Sequence, residues 1–311
     1  MLSRRLTPLV VLLAVIAAAC GSSDPAVTTT ASSSAADAAA TTFPEGAFAV
    51  RANRDITVGV ERLLVGVRKA DGGVLGSPSD VVEMEVRPSD VPDASPQRAE
   101  AGFVWIVPDA VGLYRATFEF DRPGVWEAVI IPESGPPLEP ALFSVLDPSC
   151  VTTTSDTGSP LCAVQVGEQA PVVASPTLTD HDIEEITTDP TPDERLYRLS
   201  LDVALTNGRP TVVVFATPAF CQTAACGPLV DIVETRVGAY PSVDFVHVEV
   251  YTGLQEADFD PADPSRLAPA IAAYRLVSEP WVYVVDADGI VTARFEGVMD
   301  ASEMDAALSG L

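Results

Sequence analysis

The sequence predicts two folded modules in tandem behind an export leader: an all-β sandwich and then an α/β domain. Three observations carry that expectation. A chain of 311 residues has room for two ordinary cores. Over residues 44–146, short apolar alternations are interrupted by Gly, Pro and Asp about every ten residues, the rhythm of an antiparallel sandwich. Over residues 180–311, continuous apolar runs alternate with helical periodicity, the pattern of a sheet flanked by helices.

The leader comes first. Arg4 and Arg5 give a basic start, Leu9 to Ala18 is apolar, and small residues stand directly ahead of Cys20. The uninterrupted apolar run is well short of the roughly 20 residues that span a bilayer. Residues 1–19 resemble a bacterial lipoprotein signal peptide. The resemblance implies cleavage before Cys20, a lipid on Cys20, and a protein anchored on the extracytoplasmic face of the cell membrane. Residues 20–43 are Ser, Thr, Ala and Asp with almost nothing to bury, the composition of a disordered tether. Against 44 acidic residues stand 18 basic ones, a net charge of -26, and Lys69 is the single lysine. So anionic a surface repels a phosphate backbone, which excludes a nucleic-acid partner.

In the first module, strands are expected at Ile56–Val67, Val81–Arg87 and Gly102–Val107. In "LYRATFEF", Tyr114, Ala116, Phe118 and Phe120 face one way and Arg115, Thr117 and Glu119 the other, with Leu113 set apart. The chain then turns at Pro123-Gly124 and returns with Trp126, Ala128 and Ile130 on one face, which reads as a hairpin. The set suits a sandwich of immunoglobulin type. The phrase "GLYRATFEFDRPGVWEA" resembles the YtkA-like and FixH-like group of small extracytoplasmic β-sandwich domains, some of which are linked with copper. Residues 44–146 hold no histidine or cysteine and only Met84 as a soft ligand, so no metal site is carried over.

Residues 147–179 read as a connector rich in Pro, Ser, Thr and Gly. With Cys20 set aside, Cys150, Cys162, Cys221 and Cys226 form an even number in a disulfide-permissive compartment. Four cysteines allow three pairings, and sequence neighbours favour Cys150 with Cys162 and Cys221 with Cys226. The first pair is read as a structural staple, with a second redox pair as its alternative.

In the second module, Leu196, Leu199, Val203 and Leu205 stand near helical spacing within Asp193–Pro210, ending at Asn207-Gly208. "TVVVFAT" is a strand buried on both faces. After the two cysteines come a helix from Pro228 to about Ala239, the strand "VDFVHVEVY", a helix in "PSRLAPAIAAYRLV", and two strands, "PWVYVVD" and "IVTARFEG", joined by a turn. A last helix opens on Asp300 with Glu303 placed for a capping box.

This succession, over about Glu194 to Gly310, resembles the thioredoxin-like fold: cysteines after the first central strand, "SEPWVYVVDADGIVTARFEG" as the closing hairpin, and a C-terminal helix. The resemblance implies a cis bond before Pro280, with Pro280 facing the cysteines. The chain departs from the family in carrying four residues, Gln222 to Ala225, between Cys221 and Cys226. Five helical steps would leave those side chains about 140° apart, so either Cys221 lies in the loop ahead of the helix or the turn is distorted, and Gly227-Pro228 favours the loop. Both sulfurs then sit near a helix N-terminus, whose unpaired N–H groups favour a thiolate.

Three readings of the pair follow: a redox-active dithiol, a structural disulfide on a non-catalytic scaffold, and Cu(I) capture. In the first, Cys221 attacks, Cys226 resolves, Pro280 shapes the groove, no cofactor is needed, and the partners are protein thiols or disulfides or a membrane redox protein. In the second, the protein is a binding or scaffold lipoprotein. The third resembles Sco-type copper chaperones, but neither His181 nor His247 falls at their ligand position. Thr223 to Cys226 also reproduces the Thr-x-x-Cys spacing of peroxiredoxins. The arginine those enzymes need would have to come from Arg275 or Arg294, so a peroxidase ranks lower. The acidic loop with Glu256, Asp258, Asp260 and Asp263 matches no calcium-loop spacing and reads as solvated.

Overall fold

The computed structural model describes residues 40–91, 93–151 and 162–311; the leader, Cys20 and residues 21–39 of the tether lie outside them. No helix among the described residues is long and apolar enough to cross a membrane.

The region from Phe48 to Val145 is all-β. Its strands are β1 (Phe48–Arg51), β2 (Gly59–Arg68), β3 (Val74–Leu75), β4 (Val82–Pro88), β5 (Gln97–Glu100), β6 (Gly102–Val107), β7 (Val111–Phe120), β8 (Gly124–Pro132) and β9 (Ala141–Val145). They form two antiparallel sheets, one ordered β1-β2-β7-β6 with β3 beside β2, the other β5-β4-β8-β9. Alternate side chains from both sheets meet in one core, Leu63, Val65 and Tyr114 from the first against Met84, Ala128 and Ile130 from the second.

The expected hairpin across Pro123-Gly124 does not form. β7 pairs with β2 and β6, whereas β8 pairs with β4 and β9, so the turn carries the chain from one sheet to the other. Gly124, at φ +132°, takes a conformation that side chains rarely allow. The two strands then meet face to face, with the Phe120 and Trp126 rings edge-on at 5.0 Å. Alternation shows which face is buried; it is silent on whether the next strand lies beside or across.

Residues 211–296 supply the third sheet, from β10 (Thr211–Ala216), β11 (Asp244–Glu249), β12 (Trp281–Val285) and β13 (Val291–Glu296) in the order β11-β10-β12-β13. β10 runs parallel to β11, and the other two pairings are antiparallel. The α-helices around it are α1 (Ile183–Ile186), α2 (Leu201–Ala204), α3 (Cys226–Val237), α4 (Pro269–Ala273) and α5 (Ala301–Leu308). β10 is buried along its whole length because both faces are covered. Val212, Val214 and Ala216 meet α3 and α5, while Val213 and Phe215 meet α2 and α4. Ala163, Val164 and Ala170, in the connector, are buried in the latter core. The backbone beside them bonds to the start of β13, with Gly167 N–H donating to Val291 O at 2.8 Å.

Two expected helices are shorter than their periodicity. Within Asp193–Pro210 the chain forms a 3-10 turn at Glu194–Tyr197 and then α2, broken where Ser200 is extended. The break has a cause: Ser175 N–H donates to Ser200 Oγ and Leu201 N–H to Ser175 Oγ, both at 2.9 Å, so these residues bond the connector instead of one another. Within "PSRLAPAIAAYRLV", a 3-10 turn at Pro264–Arg266 and α4 replace one continuous helix, with Leu267 and Ala268 extended between them ahead of Pro269.

The two halves share a buried interface within one compact unit, residues 40–311. Leu64, Val104 and Leu113, on the outward face of the first sheet, pack against Ala225 and Val298. Around that plug, Arg294 reaches Asp55 (2.6 Å) and Glu61 (2.7 Å), and Arg62 reaches Glu303 (2.7 Å). Arg115 pairs with Asp300 (2.8 Å) and Glu303 (2.6 Å). The Glu296 carboxylate accepts the N–H groups of Arg54 and Asp55 at 2.7 and 2.8 Å.

Candidate functional site at the Cys221–Cys226 disulfide

β10 ends at Ala216, and the loop beyond it carries Cys221 to the mouth of α3. The helix begins two residues earlier than its proline foretold: Cys226 is its first residue, and Pro228 sits within the first turn, where a missing N–H costs little. The N-cap, Ala225, has no side-chain oxygen to offer. The Cys226 N–H donates instead to Cys221 Sγ at 3.3 Å, so sulfur takes the place of a capping oxygen. Thr223 Oγ1 lies 3.4 Å from the same sulfur. Ala224, at φ +58°, turns the loop back on itself, and Cys221 and Cys226 are disulfide-bonded with Cα atoms 6.0 Å apart. Cys226 has no exposed surface, Cys221 is partly exposed, and Gln222, Thr223 and Ala224 face solvent.

Pro280 is buried ahead of β12, the Glu279–Pro280 bond is cis, and the Pro280 carbonyl accepts from Gly297 N–H at 2.9 Å. Because Phe215 pairs with Trp281, Pro280 and the cysteine loop leave the same end of the sheet. Burial is the leading reason that the Glu279 carboxyl lies above its ordinary range. Cys150 and Cys162 form the other disulfide, with Cα atoms 5.5 Å apart, and Cys150 lines a cleft of about 680 Å³ between the sandwich and β13.

Sequence reasoning missed several neighbours of the pair. Phe220, directly before Cys221, meets the Tyr251 ring edge-on (5.9 Å) and the Phe259 ring at a tilt (5.2 Å). Beneath that loop, Glu249 is a buried acid whose carboxyl is pushed up by desolvation. It accepts from Thr188 N–H (2.9 Å) and Oγ1–H (2.7 Å), and Thr188 Oγ1 accepts from Ala219 N–H (3.1 Å). The missed signal is Leu113, which together with Leu64 and Val104 puts apolar side chains in the outward phase of their strands.

The other candidates are engaged elsewhere. Arg275 donates to the Cys162 carbonyl and pairs with Glu168, which ties it to the connector, and Arg294 is held by Asp55 and Glu61 at the interface, so both peroxidase substitutes are engaged away from the cysteine pair. His181 stands 3.4 Å from Glu185 on the surface. His247 is buried between Tyr197 (2.7 Å) and the Ala216 carbonyl (3.1 Å). No group of three or more His, Cys, Asp or Glu among the described residues is arranged to hold a metal ion. In the acidic loop, Glu256 and Asp258 clamp Arg266, and Asp263 caps the 3-10 turn.

No family model matches the chain, and no curated protein matches it. Among solved structures, one similarity is to Pseudomonas fluorescens alkylpurine DNA glycosylase AlkC, bound to DNA containing an abasic site analogue. It has 11% identity over 32% of this chain and 30% of that one, at a TM-score of 0.20, so the match spans less than a third of the glycosylase. The Lin-41 filamin domain matches at 17% identity over 32% of this chain and 92% of its own, at a TM-score of 0.21. The PKD domain of the human receptor SorCS2 matches at 16% identity, 43% and 98%, at a TM-score of 0.19. At such scores the likenesses carry no argument about fold or activity.

Proposed function

We propose that this chain is a thiol–disulfide oxidoreductase on a thioredoxin-like scaffold, carried by an immunoglobulin-like sandwich and lipid-anchored through Cys20 outside the cytoplasm. The single observation that carries the reading is the asymmetric pair: a disulfide joining a partly exposed loop sulfur to the first residue of a 12-residue helix. A thiolate attacks Cys221 Sγ, the S–S bond breaks, and its electron pair leaves on Cys226. Cys226 is the first residue of α3, the end at which a helix dipole favours negative charge, and its own N–H donates to the Cys221 sulfur. A second thiolate then attacks the sulfur of the first thiol in the mixed disulfide, leaving Cys221 and Cys226 reduced. Forwards, the steps oxidise two thiols to a disulfide; run backwards, the Cys221–Cys226 dithiol reduces a disulfide, with Cys221 attacking and Cys226 closing the bridge.

A structural disulfide is the second reading, favoured by the complete burial of Cys226 and by the sandwich over Ala225. The two separate on one experiment. A redox titration of the Cys221–Cys226 pair is expected to give a potential above about −300 mV, with turnover of a small disulfide reporter lost in both Cys221→Ser and Cys226→Ser. A far lower potential, or unchanged turnover, makes the bridge a staple.

A further inference from the structure

Resting on the redox reading above, we infer that the Cys221–Cys226 pair exchanges with low-molecular-weight thiols and disulfides rather than with the cysteines of polypeptides. The sandwich stands where a polypeptide would have to lie. Ala225, the residue between the exposed loop and Cys226, is 3% exposed and lies in one apolar cluster with Leu64, Val104 and Leu113 of the sandwich. Val298, which follows the glycine that bonds Pro280, belongs to the same cluster and is 4% exposed. Both the helix mouth and the backbone beside Pro280 are therefore already in contact with a polypeptide surface, that of the chain itself. The surface is fixed by buried ion pairs: the Arg294 and Asp55 side chains keep only 6% and 5% of their surface exposed. What remains open is the partly exposed Cys221 sulfur beside Gln222, Thr223 and Ala224. A nucleophile must line up behind Cys221 along the S–S axis, and a small thiol can do so without displacing the sandwich. A cysteine within a chain brings its neighbours with it and collides.

The exchange balances without a further reagent. Two small thiols lose their protons to solvent; the first bonds to Cys221 as the S–S bond opens onto Cys226, and the second attacks the first. The products are one small disulfide and the protein dithiol, with two electrons passing from the thiols to the pair.

The full chain is treated at equal thiol concentration with glutathione or with reduced, unfolded ribonuclease, and alkylation of Cys221 and Cys226 is followed by peptide mass. Glutathione is expected to open the bridge faster by at least about tenfold, since access limits exchange. Val104→Arg with Leu113→Arg charges the outward face of the sheet and leaves the sandwich core residues in place. This double variant is expected to speed the protein thiol and leave glutathione unchanged. Equal rates for the two thiols on the native chain overturn the inference while the redox reading stands, and that comparison needs no variant to fold. A bridge that neither thiol opens in the folded protein overturns the redox reading itself.

Discussion

His247 shows what complete burial does to a single ionisable side chain. Desolvation lowers its pKa to about 4, and the hydrogen bond to the Ala216 carbonyl only partly opposes this. With Nε2–H donating to that carbonyl, Nδ1 is left to accept from Tyr197, so the ring is held neutral. The unfolded chain binds a proton near the usual histidine value while the fold refuses it. This contribution is therefore intact above about pH 6.5 and is lost as pH falls towards 4, amounting to about 2 kcal/mol by pH 5. Buried Glu249 and Glu296 run the other way: their raised values favour the protonated fold, and that stabilisation fades as pH rises through them. Comparing His247→Gln with the native protein cancels those acids. The drop in melting temperature between pH 7 and pH 5 is expected to be smaller in the variant by the equivalent of about 2 kcal/mol; an equal drop in both proteins refutes the assignment.

Among the elements, β7 makes the most demanding contacts. A Cβ at Gly112 would meet the Phe103 ring at 2.2 Å and the Val104 carbonyl at 2.7 Å, and a main-chain atom cannot swing aside. Gly112→Ala is expected to cost about 1–3 kcal/mol in urea unfolding, through overpacking between β6 and β7. Much of this strand was legible beforehand: the inward phase of Tyr114, Ala116, Phe118 and Phe120 is the observed one, and Gly102–Val107 has its expected bounds. Its partner was not. A period of two reports burial and leaves pairing open, which is why the turn at Pro123-Gly124 read as a hairpin and is a crossing between sheets. The helices failed for a related reason. Leu196, Leu199 and Val203 keep helical spacing, yet Ser200 breaks the run through a bond to Ser175, and a partner so far along the chain leaves no trace in local periodicity.

At the scale of the molecule, the candidate site belongs to both halves. Sequence neighbourhood favours the observed pairing of the cysteines over the other two, and helix geometry favours Cys221 ahead of the helix. The covering of Ala225 could not be worked out in this way, because Leu64, Val104 and Leu113 come from three strands that register alone brings together. Arg294 ties the halves, and removing it leaves buried Asp55 and half-buried Glu61 without their cation. Arg294→Met is expected to cost about 3–5 kcal/mol and to split a single unfolding transition into two in calorimetry; one unchanged transition would refute the coupling. The other disulfide has a plainer consequence. Cys150 and Cys162, 12 positions apart, are joined by sulfur as well as by backbone. A protease severing any peptide bond between them yields two polypeptides that still travel as one molecule. They would run as a single band on a gel without reductant and as two bands with it.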